Sequence, residues 1–493
     1  MKLTVFQSDK GDCLLLTGRD RKSMLIDGGM SSSYAEHVAP VLASRKLRAI
    51  DVVCVSHIDQ DHISGILRLV RDLADWRAHE FKAKRNEKTK PPKSTRPPEI
   101  REIWHNAFHQ QVEDNEGRIE NLLAANAVML ASGVAHSATG ELAGALMNSY
   151  ENLATSEQEA IKLSNLIGPS QLGIPLNRPA GGKLMMVRGK KKQKVVNLGG
   201  MSVSILAPFE EDLNKLRVEW NAWLEDNETT LKKIQKKAQA DESRFATDEI
   251  GSVKDTMTNE GELLSQFHSE EMKRRLGALE KELREKLDAV ADPALKAFET
   301  RRLARIAALR QAPEVDLAQA AKTLGLRSKV TAPNLASLML LVVETAGAEK
   351  KTVLLTGDGH ADEILKGLNL YLKPDKATGR THVNVLKVQH HGAEYNIHAK
   401  FCEEVTADHY VFCGNGAHAN PDVDVLDLIH SSRMVAGDKG KFKFWFNSSS
   451  KVTSGENKKQ MRKIEKRVGE LQASSGGRMM SAFLSDHSFD LSI

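Results

Sequence analysis

Four cysteines are too few, and too scattered, to staple a chain of 493 residues. Cys13, Cys54, Cys402 and Cys413 show no short paired spacing, and two of them lie within apolar runs. That excludes a disulfide framework or a zinc knuckle and fits buried thiols in a reducing compartment. Long apolar runs are missing as well. The longest, such as LMLLVV at 338–343, fall far short of the roughly 20 residues that cross a bilayer, so the chain reads as soluble, with no membrane partner. The opening MKLTVFQSDKGDC has no apolar core followed by a small-residue cleavage site, which removes a signal for secretion and leaves the cytoplasm as the expected compartment. Aromatic residues reach only 5%, and no base-reading or stacking pattern is visible, so no sequence-specific recognition of nucleic acid is expected.

What is present is ordinary in amount and uneven in distribution. Hydrophobic residues at 41% and charged residues at 27% suit a globular protein with room for two to four domains, or for one large domain carrying insertions. The net charge of +5 is modest, yet KAKRNEKTKPPKSTR (82–96), RGKKKQK (188–194) and KKQMRKIEKR (458–467) are strongly basic. Such runs are either solvated loops or phosphate contacts.

Along the chain, KLTVF, CLLLTG and SMLIDGGM alternate with turns and predict a meander of antiparallel strands. DVVCVS (51–56) follows as a buried strand, and ISGILRLVRDLADW switches to helical spacing through Ile66, Leu69, Val70 and Leu73. PEIREIWHNAF predicts another strand, helical segments follow from about 107 to 165, and KVVNLGGMSVSILAP predicts a hairpin. From about 209 the character changes. Charge rises, β-branched runs vanish, and Met272, Leu276, Leu279, Leu283, Leu287 and Val290 recur at steps of three and four; a second stripe through Leu303, Ile306 and Leu309 follows a break at Pro293. Strand signals return in LASLMLLVVET, KTVLLTGDG, VNVLKVQHHG, HYVFCGNG and FKFWFNS. The expected organisation is therefore one discontinuous α/β domain, its halves at 1–208 and 329–493 with a basic tail, interrupted by a helical and coiled-coil-like insertion at 209–328.

The chemistry concentrates in SHIDQDHISG (56–65), where His57, Asp59, Asp61 and His62 crowd into six positions at a strand-to-helix junction. Four ligand-type side chains so close would repel or desolvate one another unless a cation compensated them. Later strands end in the same manner: Asp358 closes VLLTGD, His390 and His391 close VLKVQHH, and His418 follows YVFCGNGA. A sheet whose strands stay apolar until they stop at a ligand delivers a metal site to one edge.

These residues carry a family resemblance. SHIDQDHISG resembles the H-x-H/D-x-D-H signature of metallo-β-lactamase-fold hydrolases, in the aspartate-bearing version of the nuclease domain of the DNA-uptake protein ComEC. In order along the chain, SDKGDCLLLTGRDRKSMLIDGG, NLASLMLLVVETAGAEKKTVLLTGD, LKVQHHG and GNGAHANPDVDVL resemble further motifs of that group. The resemblance covers residues 1–70 and 330–425 clearly and 100–208 loosely. It implies a four-layer αββα sandwich and one or two divalent ions. His57 and Asp59 would face one ion, Asp61 and His62 a second, with Asp358 bridging and either His390 or His391 completing the second. Asp27 would support the ligands or form the DGG turn. The pattern is broken twice: Ala207-Pro208 stand where a loop histidine is usual, and Asn420 replaces the second histidine of the HANP segment, leaving His418.

The implied reaction is hydrolysis by a hydroxide held between two ions roughly 3.5 to 4 Å apart. Asp61 would orient or deprotonate the water and His418 would protonate the leaving group or meet a phosphate. An aspartate at 59 and a missing imidazole make the donor set harder, which brings manganese level with zinc. The expected substrate is a phosphodiester, DNA first, in DNA processing or defence, with Lys387, Lys84, Arg85 and the 188–194 run touching backbone phosphates. The alternatives are a small-molecule hydrolase acting on a cyclic nucleotide, phosphoester, lactone or thioester, and a weakened binding module whose insertion recruits a second copy or another protein.

Overall fold

The computed structural model describes residues 1–106, 159–160, 162–189, 192–211, 213–214, 273–274, 276–312, 337–376, 379–435, 438 and 440–493. Contacts divide the chain into two units. One comprises Met1–Ala107, Glu159–Asp212 and Pro333–Ile493; the other comprises Phe108–Gln158 and Leu213–Ala332. The helices expected over 107–165 fall almost wholly outside the described residues, as does Met272.

Among the described residues two large sheets, with a two-stranded one pairing Ala49–Ile50 and Glu99–Ile100, build the first unit. Six strands form one, in the order Ser488–Ser492, Lys2–Phe6, Leu14–Thr17, Ser23–Ile26, Val52–Val55 and Ile103–His105. The first three pairings are antiparallel, as the short turns between the opening runs allow, and the last two are parallel. Eight strands form the other, in the order Met479–Phe483, Phe442–Phe446, Val405–Phe412, Thr381–Lys387, Glu349–Leu355, Met339–Ala346, Met201–Ala207 and Val196–Leu198. Its pairings from Glu349–Leu355 to Met479–Phe483 are parallel. Parallel neighbours need a crossover, and the helices Ala361–Tyr371, Ala399–Glu404, Val423–Met434 and Gly455–Ser474 supply one between each successive pair.

Burial explains why these runs become strands. Val52, Val53, Cys54 and Val55 are all at most 3% exposed, and each valine side chain contributes up to about 1.5–3 kcal/mol of transfer free energy. FKFWF is an interior strand of the eight-stranded sheet, with Phe442, Phe444 and Phe446 buried and Phe446 stacked on Phe483. All four cysteines are buried, and none forms a disulfide.

The C-terminal segment corrects the expectation of a basic tail. KKQMRKIEKR belongs to the helix Gly455–Ser474, which buries Met461, Ile464, Val468 and Leu471 while its lysines and arginines face outward. The two strands after it then extend both sheets, one at an edge of each. Steps of three and four between those apolar residues made a packing helix, and the surrounding charge hid it.

In the second unit the described residues are helical at 276–287 and over Pro293–Gln311. Pro293 starts the second helix, where a missing N–H costs nothing, and Asp292 caps it by accepting from Ala294 N and Leu295 N at 2.8 and 3.0 Å. Leu276, Leu283, Val290, Leu303 and Ile306 of the expected stripes are buried, and Arg310 reaches Glu280 at 3.2 Å, so the two helices touch.

Candidate metal centre

The strand Val52–Val55 runs straight into Ser56-His57-Ile58-Asp59, and the helix Gln60–Lys84 starts at once. Asp59 takes the cap position, its carbonyl accepting from His62 N and Ile63 N at 2.8 and 3.0 Å. Helical geometry then stacks His62 over the turn that begins at Asp59. The DGG turn docks against this helix: Gly28 N donates to His62 O at 2.9 Å and Gly65 N to Gly29 O at 3.0 Å. A Cβ on Gly28 would collide with the backbone at Gly65 and Ile66, so the sequence must spare a side chain there. The same turn holds Asp27 at φ 56° and aims its carboxylate at Ser56 and His62.

Three strand ends of the eight-stranded sheet bring the remaining side chains. Asp358 follows Glu349–Leu355, and His390 and His391 follow Thr381–Lys387, both in left-handed backbone at φ 46° and 56°. The loop after Val405–Phe412 carries Cys413 and, further on, His418. The resulting cluster is largely shielded from solvent, with Asp59 its most exposed member. His57, Asp59, Asp61, His62, Asp358, His390 and His391 are all buried.

Asp358 stands at its centre. Its Oδ2 lies 3.3 Å from His391 Nε2, 3.6 Å from His390 Nε2 and 3.7 Å from His57 Nε2, and its Oδ1 lies 3.4 Å from His62 Nε2. Asp61 Oδ2 is 3.3 Å from His391 Nε2, and Asp59 Oδ2 is 3.6 Å from His57 Nε2. The Nε2 atoms of His57, His62 and His391, and Oδ1 of Asp358, are buried and make no hydrogen bond. Buried polar atoms normally find a partner, and several such atoms facing one point are a donor set that fits a cation.

The far side of each ring settles which nitrogen carries the proton. His62 Nδ1 donates to Asp27 Oδ2 at 2.9 Å, and His391 Nδ1 donates to the Cys413 carbonyl at 2.7 Å. His390 Nδ1 meets Asn396 Oδ1 at 2.7 Å, and the Asn396 amide is oriented by its own donation to the carbonyls of Asp358 and Gly359 at 3.1 and 3.3 Å. Ser56 Oγ spends its proton on Asp27 Oδ2 at 2.7 Å and so accepts from His57 Nδ1 at 3.1 Å. In its neutral form each ring therefore presents its Nε2 lone pair to the centre, the arrangement that metal-ligating histidines adopt.

Electrostatics agree. Burial pushes the Asp358 carboxyl up, but His391, His62, His390 and His57 around it hold it well below the usual range. Burial pushes His62 and His391 down, and the carboxylates, Asp358 foremost, outweigh it and raise both well above an ordinary imidazole. Without a cation these rings would draw protons to themselves; a divalent ion satisfies the same field with the lone pairs left free. Ligand atoms of His57, His62 and Asp358 all lie within 4.8 Å of one another, close enough for Asp358 to share a cation with either ring.

A second group, Asp12 with His62 and His391, fits an ion by distance, but chemistry argues against it. Asp12 is 1% exposed and faces the Nδ1 side of both rings, 3.3 Å from His391 and 4.0 Å from His62, where the protons sit. The ammonium of Lys387 is already ion-paired with Asp12 there. Burial pushes Lys387 down, yet Asp12 and Asp358 outweigh it and raise the group above an ordinary lysine.

Asp12 escaped the sequence reading, although the SDKGDC motif holding it was in view; an aspartate beside glycine looks like a turn former. Lys387, expected on DNA phosphates, is 1% exposed and points inward, donating to Gly357 O at 2.9 Å and standing 3.7 Å from Asp358 Oδ1. That corrects its role, since a lysine at the end of a buried strand faces whichever carboxylate the fold supplies. Asp27 both forms the turn and holds His62. His418 lies exposed on the turn Ala417–Ala419 at φ 54°, and Asn420 is buried just after it, its carbonyl accepting from Gly416 N at 3.0 Å. Lys84 and Arg85 are exposed at the end of the helix Gln60–Lys84, as are Arg188, Lys192 and Lys194, whereas Lys190 and Lys191 lie outside the described residues.

Among the described residues no helix is long and apolar enough to cross a membrane. No curated protein matches the chain. Residues 9–119 match the family model of the metallo-beta-lactamase superfamily, a segment that contains Asp12, Asp27 and the His57–His62 ligand run, and this domain together with the buried His/Asp groups points to a metal-dependent hydrolase.

Proposed function

We propose that the protein hydrolyses a phosphodiester with the help of divalent metal, and that DNA is the substrate class to test first. The observation that carries the metal reading is the convergence of His57, His62 and His391, each backed at Nδ1 and orphaned at Nε2, on the buried carboxylate of Asp358. We assign Asp61, His62, His391 and Asp358 to one ion, because His391 reaches both Asp61 and Asp358. His57, Asp59, His390 and Asp358 go to the other, because Asp59 lies beside His57 and His390 is the remaining imidazole on Asp358. His390 then takes the part of the loop histidine expected near Ala207. Carboxylate and imidazole donors in this mixture suit manganese as well as zinc.

Bound there, divalent ions supply Lewis acidity toward a phosphoryl oxygen and make water more acidic. The chain's own groups do the rest: Asp61 takes a proton from the attacking water at its carboxylate, and His418 gives one to the leaving oxygen. The buried surroundings of Asp61 exclude bulk water and strengthen its transfer, whereas His418 acts from the exposed turn. The phosphodiester part rests on charge, since exposed Lys82, Lys84, Arg85, Arg188, Lys192 and Lys194 can neutralise phosphates without reading bases. We also read the two sheets and their flanking helices as the layers of an αββα sandwich, with 209–328 as its helical insertion.

Incubating plasmid and single-stranded DNA with purified protein and Mn²⁺ or Zn²⁺ tests the proposal. Wild type is expected to cleave, and Asp61→Ala to slow cleavage by at least about 10²-fold, the low end for a positioned base. No cleavage by wild type, or equal cleavage by the variant, contradicts it.

A further inference from the structure

Behind the ligand cluster lies a buried ion pair that the reaction as described does not use. Asp12 sits on the loop between the strands Lys2–Phe6 and Leu14–Thr17, and Lys387 is the last residue of the strand Thr381–Lys387; they are 1% exposed each. Between them they face His62 and His391 from the side away from the centre and approach the Asp358 carboxylate. Asp12 Oδ1 stands 3.3 Å from His391 Nδ1 and makes no hydrogen bond of its own, while Asp12 Oδ2 pairs with Lys387 Nζ and lies 4.0 Å from His62 Nδ1. Lys387 Nζ donates to the carbonyl of Gly357, the residue before Asp358, and stands 3.7 Å from Asp358 Oδ1. The strand end is fixed further by Thr356 Oγ1, which donates to the Lys387 carbonyl at 2.6 Å.

We propose that Asp12 and Lys387 are positioning residues that set the affinity of the centre for divalent cations, Lys387 acting as a built-in cation in the Asp12–His62–His391 pocket. The inference rests on the metal reading above. Asp12 has two tasks. It presents negative charge to the protonated sides of His391 and His62, which makes their Nε2 lone pairs better donors. It also neutralises Lys387, whose ammonium would otherwise lean on Asp358 and compete with a divalent ion for that carboxylate. Lys387 in turn keeps Asp12 charged and buried, and keeps a third divalent ion out of a pocket whose donor distances would suit one.

Charge-matched variants separate this from a merely structural role. Asp12→Asn keeps the shape but leaves Lys387 uncompensated beside Asp358. Its dissociation constant for Mn²⁺, measured by calorimetry on metal-stripped full-length protein, is expected to rise about 10- to 100-fold, the usual effect of changing a group behind a metal ligand. The double variant Asp12→Asn/Lys387→Met removes both charges and is expected to recover most of that affinity. A packing defect would predict the reverse, with the double variant at least as impaired as the single one. Wild-type affinity in Asp12→Asn overturns the inference and leaves the metal reading standing. If Asp12→Asn does not fold, the double variant decides alone: near-wild-type affinity supports charge balance, and affinity weakened by 10-fold or more overturns it. A wild-type protein that binds no Mn²⁺ overturns both readings.

Discussion

The two ends of SHIDQDH are supported unequally. His62 is held at Nδ1 by the Asp27 carboxylate at 2.9 Å and faced from behind by Asp12, and its assigned partner His391 is held by the Cys413 carbonyl at 2.7 Å. His57 meets only a hydroxyl, Ser56 Oγ at 3.1 Å, and the aspartate paired with it is the most exposed of the cluster at 8%. Charge behind a ligand makes it a stronger donor than a hydroxyl does. The Asp61/His62 position should therefore bind first and hold longest, with the His57/Asp59 position the weaker one, completed by His390.

The largest effect should come from removing what both positions share. Asp358→Asn deletes the central carboxylate that faces four imidazoles, and it is expected to abolish metal retention and to slow hydrolysis by roughly 10³-fold, since several kcal/mol of Lewis-acid stabilisation corresponds to tenfold per 1.4 kcal/mol. Metal content after dialysis, followed by turnover, checks this; retention of metal by the variant breaks the comparison by showing that the centre does not depend on Asp358. A smaller and more selective change should follow Asp27→Asn. That side chain anchors His62 directly and His57 through Ser56, so calorimetric titration should show the tighter site weakened by about 10- to 100-fold, and the weaker one less. Equal weakening of both would show that Asp27 acts through the turn rather than through His62.

The sequence made the ligands legible because a short apolar run precedes each: VVCV before His57, VLL before Asp358, and VLKV, broken only by Lys387, before the histidine pair. What holds those ligands was mostly illegible. The Cys413 carbonyl is a backbone group with no residue signature, and Asn396 lies five residues beyond His391, on a turn that orients it only after folding. Asp12 and Lys387 were visible as residues but not as a pair, since 375 positions separate them and only the packing of two sheets brings them together. The C-terminal helix and its two strands were misjudged because lysines and arginines crowd the exposed face of a helix whose buried stripe is just four residues.

The adjacent histidines also explain why the missing imidazole near Ala207 need not leave the weaker position empty. Two consecutive residues in left-handed backbone aim both rings at Asp358 Oδ2, a conformation that costs energy at each residue and persists only where the surroundings enforce it. Asn396 and the Cys413 carbonyl are that enforcement.

Metal content measured by mass spectrometry on purified wild type and on His390→Ala, each after saturation with Mn²⁺ and removal of free ion, tests the assignment most directly. The account predicts two ions per chain in wild type and one in His390→Ala. No bound ion in wild type, or two in both proteins, would contradict it.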